Sequence, residues 1–454
     1  MDTIQFGIGT GTPLLVLQGA GVAVPVRGAF FRESRRSADG VGTGSAVIED
    51  TLDVVLEGTA VQIEDCLRTM ARELVRAESE ADLPAGAFRY LEARARDGGE
   101  LLRSKMLGGW VELLEGGAGY RANGATGARL HVRRVDYWEA ALRYLPVSNG
   151  GASGVTTGLT VYNHSGSLAY QDNTAAASGA DAPGELPAPA LLVFNGVDTT
   201  DIGTLYVGQA VNAPGGSMSF EGEAGITGAG VTGTDTVAAS ASSGNFRRLA
   251  WSGTGEVALW RKDFDPFDMY AFGGRPFLPV MRLHAFTAEA LWFYWRVTVN
   301  FGSINHAAYD SPGGWLSVNR HHCAGAPVFL PPWPVGSGDL PPGVGLELRV
   351  KASAAGAHTL DLDCLHLLPL DRWRVYRPSV GSYSGLKITD DPYSGTLKSG
   401  DWAIQMHQTE GPGLTVVPER SNRWYFLMEK AGGGFPAGTR GTVRIAYRPR
   451  YRGL

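Results

Sequence analysis

Three groups of side chains have the types and spacing that could do chemistry: His321-His322-Cys323 with His306 nearby, the acids of Asp263-Phe264-Asp265-Pro266-Phe267-Asp268, and the pair Asp361 and Asp363. Imidazole and thiol are zinc ligands, but neighbours on a strand point to opposite faces, so adjacent histidines seldom close on one ion. Asp263, Asp265 and Asp268 offer the hard oxygen atoms that calcium takes, although a solvated loop has the same composition. Asp361 and Asp363 could supply the carboxylates of a glycoside hydrolase, yet acids at i and i+2 are also what a solvent-facing strand carries. Gly7-Ile8-Gly9-Thr10-Gly11 lacks the glycine spacing, the lysine and the helix of a phosphate loop. With no Gly-x-Ser-x-Gly elbow and no His-Glu-x-x-His pair, the sequence supports no enzyme, and it points to no cofactor and no bound metal.

The aromatic run Trp292-Phe293-Tyr294-Trp295 is of another kind. Flat amphipathic rings stack on the C–H faces of sugars, and Trp292, Tyr294 and Trp295 are the candidates for that role; the competing reading is that these rings fill a core from both faces of a strand.

The elements that hold these residues read as strands, apart from one helix. Thr51-Leu52-Asp53-Val54-Val55-Leu56-Glu57 alternates with a period of two, and Gly58 breaks it. Thr59 precedes Gln62 at the spacing of a capping box. A helix starting there sets Ile63, Cys66, Leu67, Met70, Leu74 and Val75 on one stripe. That stripe either covers the sheet of its own domain or meets a neighbouring subunit.

Glycine supplies 63 of 454 residues, charged residues are 19% and apolar ones 44%, the profile of an ordered, turn-rich β protein. A formal charge of -5 and the lack of long basic runs exclude a nucleic-acid-binding field. Cys66, Cys323 and Cys364 are too few for a disulfide framework and read as buried thiols. The N-terminus lacks the basic start and apolar core of a signal peptide, and no apolar run approaches the roughly 20 residues that span a bilayer, so synthesis in the cytoplasm without membrane insertion is expected. The expected fold is mainly β: an N-terminal α+β sandwich-like domain at 1–147 with one amphipathic helix, a linker and exposed loop at 148–185, a jelly-roll sandwich at 186–371, and C-terminal strands at 372–454 packing on the N-terminal domain.

The segment Leu52-Asp53-Val54-Val55-Leu56-Glu57-Gly58-Thr59-Ala60, with its leucine-containing helix, resembles the distal tail proteins of long-tailed, siphovirus-type phages. Val132-Arg133-Arg134-Val135-Asp136-Tyr137-Trp138 is similar to the acidic-aromatic close of that family's first domain, and Tyr447-Arg448-Pro449-Arg450-Tyr451 to its closing Tyr-Arg-Pro-Arg. Pro418 to Asn422 resembles its Pro-Gly-x-Asn turn, with Glu419-Arg420-Ser421 standing where Pro-Gly would lead. The resemblance covers 1–145 and 372–454. It implies a structural protein of the virion tail that self-associates in a ring, usually a hexamer, and joins the tail tube to baseplate or tip proteins. Ile63, Leu67, Met70, Leu74, Arg35 and Arg36 are then the expected interface residues. It also implies an outer galectin-like or jelly-roll domain. Leu360 to Pro369 looks like the last strand of carbohydrate-binding jelly rolls, so adhesion to host surface glycans is the alternative function.

Overall fold

In the computed structural model the first strands are β1 (Thr3–Gly7), β2 (Pro13–Gln18), β3 (Val26–Ser37) and β4 (Val47–Glu57). They are followed by the helix α1 (Ala60–Glu80) and by β5 (Tyr90–Arg94), β6 (Leu102–Leu113), β7 (Ala125–Val135) and β8 (Trp138–Glu139). The structure describes residues 2–8, 13–22, 24–37, 46–83, 88–95, 99–114, 124–163, 173–197, 202–211, 219–238, 241, 244–264, 269, 273–286, 290–301, 304–316, 323–332, 343–370, 372–378, 386–399, 402–403, 406–430 and 439–454. The strands form an antiparallel sheet in the order β2-β1-β5-β6-β7-β4-β3, with β8 on β6. Leu52, Val54 and Leu56 bury the inner face of β4, as their alternation requires.

Thr59 caps α1 as expected: its hydroxyl accepts from the Gln62 amide at 3.3 Å, and its own amide donates to Gln62 Oε1 at 2.9 Å. Ile63, Cys66, Met70, Leu74 and Ala77 bury the apolar stripe, whereas Val75 lies outside it and is exposed. The helix seats on β6 at Gly108-Gly109, both at positive φ. A Cβ on Gly108 would stand 2.9 Å from the Glu78 Cβ of the helix, so glycine lets the helix lie this close, whereas a Cβ on Gly109 would strike the His131 carbonyl oxygen of the adjacent strand at 2.0 Å.

The chain then lays down β9 (Arg143–Tyr144), β10 (Leu159–Tyr162), β11 (Thr174–Ala177), β12 (Ala188–Pro189), β13 (Leu191–Gly196) and β14 (Ile202–Val211). The expected linker at 148–185 is therefore corrected. Ala175, Ala177 and Ala182 are core residues packed among Trp424 and Phe426, and their small size, which reads as linker composition, leaves room for those rings.

A second sandwich follows as an insertion: β15 (Ser219–Glu221), β16 (Thr232–Val237), β17 (Asn245–Ser252), β18 (Val257–Phe264), β19 (Arg275–Phe286), β20 (Leu291–Phe301), β21 (Ile304–Asp310), β22 (Gly314–Trp315), β23 (Cys323–Ala324), β24 (Val328–Leu330), β25 (Gly343–Ala352) and β26 (Ala357–Pro369). One sheet runs β16-β17-β26-β19-β23 and the other β18-β25-β20-β21, and they enclose one core that includes Trp260, Trp295, Leu348 and Leu362.

The chain returns as β27 (Arg372–Pro378), β28 (Lys387–Asp391), β29 (Thr396–Ser399), β30 (Trp402–Ala403), β31 (Met406–Glu410), β32 (Thr415–Val416), β33 (Asn422–Lys430), β34 (Arg440–Tyr447) and β35 (Arg450–Tyr451). Apart from β35, these strands interleave with β9–β14 in two larger sheets, β10-β34-β13-β28-β29-β30 with β9 on β34 and β11-β33-β14-β27-β31, and in the short pair β12-β32, around a shared core. The expected boundaries are corrected accordingly: 186–211 belongs to this split sandwich rather than to the inserted one, and 372–447 completes it rather than packing on the first unit. Only β35 among these strands pairs into the first sheet, on β8. The molecule is mainly β, with a helix in its first unit and antiparallel sheets throughout.

Candidate functional site

Side chains at i, i+2 and i+4 on β20 share a face, so Trp292, Tyr294 and Arg296 stand together on the open side of the sheet β18-β25-β20-β21. Trp295 is one step out of phase and lies wholly buried in the sandwich core. The expected stacking trio is thus divided, and Trp315 takes the third place. After β21, Ser311-Pro312-Gly313-Gly314 folds back on β20: the Ser311 amide donates to the Trp295 carbonyl at 2.8 Å, and the Trp295 amide donates to Ser311 Oγ at 2.9 Å. That clamp pairs Trp315 with Trp292 across the strands, with ring centroids 5.3 Å apart and planes at 80°. The Trp292 indole lies over Gly313, where a Cβ would come within 2.3 Å of Nε1. Trp315 is 58% exposed, and the right-angled corner opens to solvent.

The corner forms one side of a cleft of about 650 Å³ lined also by Thr254, Glu256, Tyr294 and Lys351. Lys351 pairs across β25 with Trp292, and Arg349 with Tyr294. Glu256 Oε1 accepts from the Tyr294 hydroxyl at 2.8 Å and from Arg349 Nε at 2.7 Å. Burial pushes the Glu256 carboxyl up, but these two donors outweigh it and leave it below its ordinary range. Burial, and then the bond to Glu256, raises the Tyr294 phenol. The acid is ionised and the phenol protonated at neutral pH. Arg296 extends the row, donating to Asp310 at 2.6 and 2.7 Å and to the Tyr294 hydroxyl at 3.1 Å. Such a cleft offers apolar ring faces, with a carboxylate acceptor and an ammonium donor beside them.

The other candidates fare differently. Asp361 and Asp363 are buried, not solvent-facing. Arg248 holds Asp361 through two hydrogen bonds of 2.8 and 2.9 Å, Arg282 holds Asp363 at 2.7 Å, and a register shift between β26 and β19 at Asp363 breaks the alternation that would put both acids on one face. Next to them Cys364 and His366 lie 3.5 Å apart; burial pushes the thiol up and the imidazole down to about 3, so both are neutral. Ile63, Met70 and Leu74 are wholly buried in the core of the first unit and Leu67 packs against that core, which removes this stripe from the expected subunit interface. Arg35 and Arg36 stay exposed on β3, in ion pairs with Glu33 at 2.6 Å and Asp136 at 3.1 Å. Gly9 to Gly11, Asp265, Asp268, His321, His322 and residues 38–45 lie outside the described residues, as does the side chain of His306.

Sequence reasoning missed Trp315, Glu256 and Lys351. The parity of β20 already separates Trp295 from Trp292 and Tyr294, and a tryptophan directly behind Pro312-Gly313-Gly314 is a ring delivered by a tight turn. No protein-family model matches the chain, and no curated protein matches it.

Proposed function

We propose that this protein is a structural component of the tail end of a long-tailed phage, in which the first unit is the assembling part and the inserted sandwich binds carbohydrate. The observation that carries the carbohydrate half is the exposed Trp292–Trp315 corner beside the ionised Glu256, which joins apolar ring faces to hydroxyl-binding groups in one cleft. The assembling half is supported by the meeting of two of the segments on which the family resemblance rests. Arg450 donates to Glu139 Oε1 at 2.9 and 3.0 Å and lies 3.9 Å over the Tyr137 ring, and the Ala140 amide donates to the Pro449 carbonyl at 2.8 Å. The closing Tyr-Arg-Pro-Arg and the acidic-aromatic end of the first unit thus form one joint.

Size-exclusion chromatography with light scattering, followed by retention on immobilised polysaccharides, tests the two halves. A closed ring, with six copies expected, that is retained on a glycan supports the reading. A monomer removes the ring, and a ring that no glycan retains removes the carbohydrate half.

A further inference from the structure

The two oxygen atoms of Glu256 are used unequally. Both of its protein donors, the Tyr294 hydroxyl and Arg349 Nε, go to Oε1, and among the described residues none donates to Oε2. The side chain is 42% exposed and lines the cleft beside the two indoles. Two donors hold Oε1 in place, which leaves Oε2 as the acceptor that a ligand can use. An ionised carboxylate takes a hydrogen bond from a hydroxyl and repels another anion.

The surrounding charges leave no positive surplus to overcome that repulsion. Arg349 also reaches Glu347 at 3.2 Å, and Arg296 is held by Asp310 at 2.6 Å. Farther along the sheet Arg261 is shared between Asp263 at 2.6 Å and Glu347 at 3.7 Å. Lys351 remains as a donor next to Trp292, where its charge balances that of the carboxylates rather than exceeding it.

We infer that the cleft takes a neutral pyranose, stacked on Trp315, with one of its hydroxyls donating to Glu256 Oε2, and that it discriminates against sugars carrying a carboxylate. This rests on the carbohydrate reading above, and names the class of sugar and the group that selects it. Glu256 here touches the ligand and also positions Tyr294 and Arg349, so its test must separate charge from shape.

Biolayer interferometry with the full chain on glycans that differ only in a C6 alcohol or C6 carboxylate, in gluco, galacto, manno and N-acetylglucosamine configurations, makes that separation. The neutral member is expected to bind at least about tenfold more tightly than its uronate. Glu256→Gln keeps the side-chain shape; it is expected to weaken the neutral sugar about 10- to 100-fold and to erase the discrimination. Trp315→Ala is expected to abolish binding of both. Equal binding of neutral and acidic partners, or preference for the uronate, with Trp315→Ala still abolishing it, overturns the inference while the carbohydrate reading stands. Binding of neither overturns both.

Discussion

Gly313 decides where the Trp292 ring lies, because the indole occupies the space a Cβ would need. Gly313→Ala is expected to displace the ring and weaken glycan binding about tenfold, with the melting temperature little changed, since Pro312 and Gly313 are exposed at the surface. Titration of a bound glycan against both proteins, with a thermal melt of each, checks this; undiminished affinity would remove Trp292 from the site. At this scale part of the cleft was legible from the chain. The alternation of β20 puts Trp292 and Tyr294 together and Trp295 elsewhere, whatever the tertiary fold. Trp315 and Glu256 were not legible, because they come to Trp292 and Tyr294 through a clamp at Ser311 and through pairing with distant strands, neither of which has a local periodicity.

The helix α1 is the element the sequence describes best, and its exception is instructive. The capping box and the stripe from Ile63 to Leu74 form as their spacing requires. Glu73 falls on the buried side all the same, held by Arg89 at 2.7 Å and flanked by Arg72 and Arg76. Burial pushes this carboxyl up, but the guanidinium groups outweigh it and the acid lies below its ordinary range. A carboxyl whose folded pKa is depressed contributes stability that is fully present above about pH 4.3 and is lost as pH falls through the folded value. Glu73→Gln is therefore expected to cost about 3 kcal/mol at pH 7 by leaving Arg89 without its closest partner, and to flatten the fall in stability below about pH 4.3. Denaturant melts between pH 7 and 3 measure both effects, and an unchanged acid limb would show that another carboxylate governs it. Gly108-Gly109 reads in the sequence only as a break in a strand; what requires Gly108 is the approach of a helix that no strand pattern announces, and what requires Gly109 is the His131 carbonyl of the neighbouring strand.

In the whole molecule, three cores are threaded by one chain, and the middle one is closed by segments on either side of an insertion. Strand content follows from local patterns, but the choice of partner does not: β14 pairs with β33 from Ile202–Lys430 to Val211–Asn422, across the entire inserted sandwich. Under the proposed function, one body would assemble while another carries the cleft. The full chain is expected to run as a closed ring in light scattering, and a monomer at all concentrations would leave the resemblance without a function. The most direct test of a carbohydrate site at the two indoles is a glycan array probed with the full chain and with a Trp292→Ala/Trp315→Ala variant of matching circular dichroism. The wild-type chain is expected to bind a subset of neutral glycans and the variant none; equal binding by both, or no binding by the wild type, would contradict the carbohydrate reading.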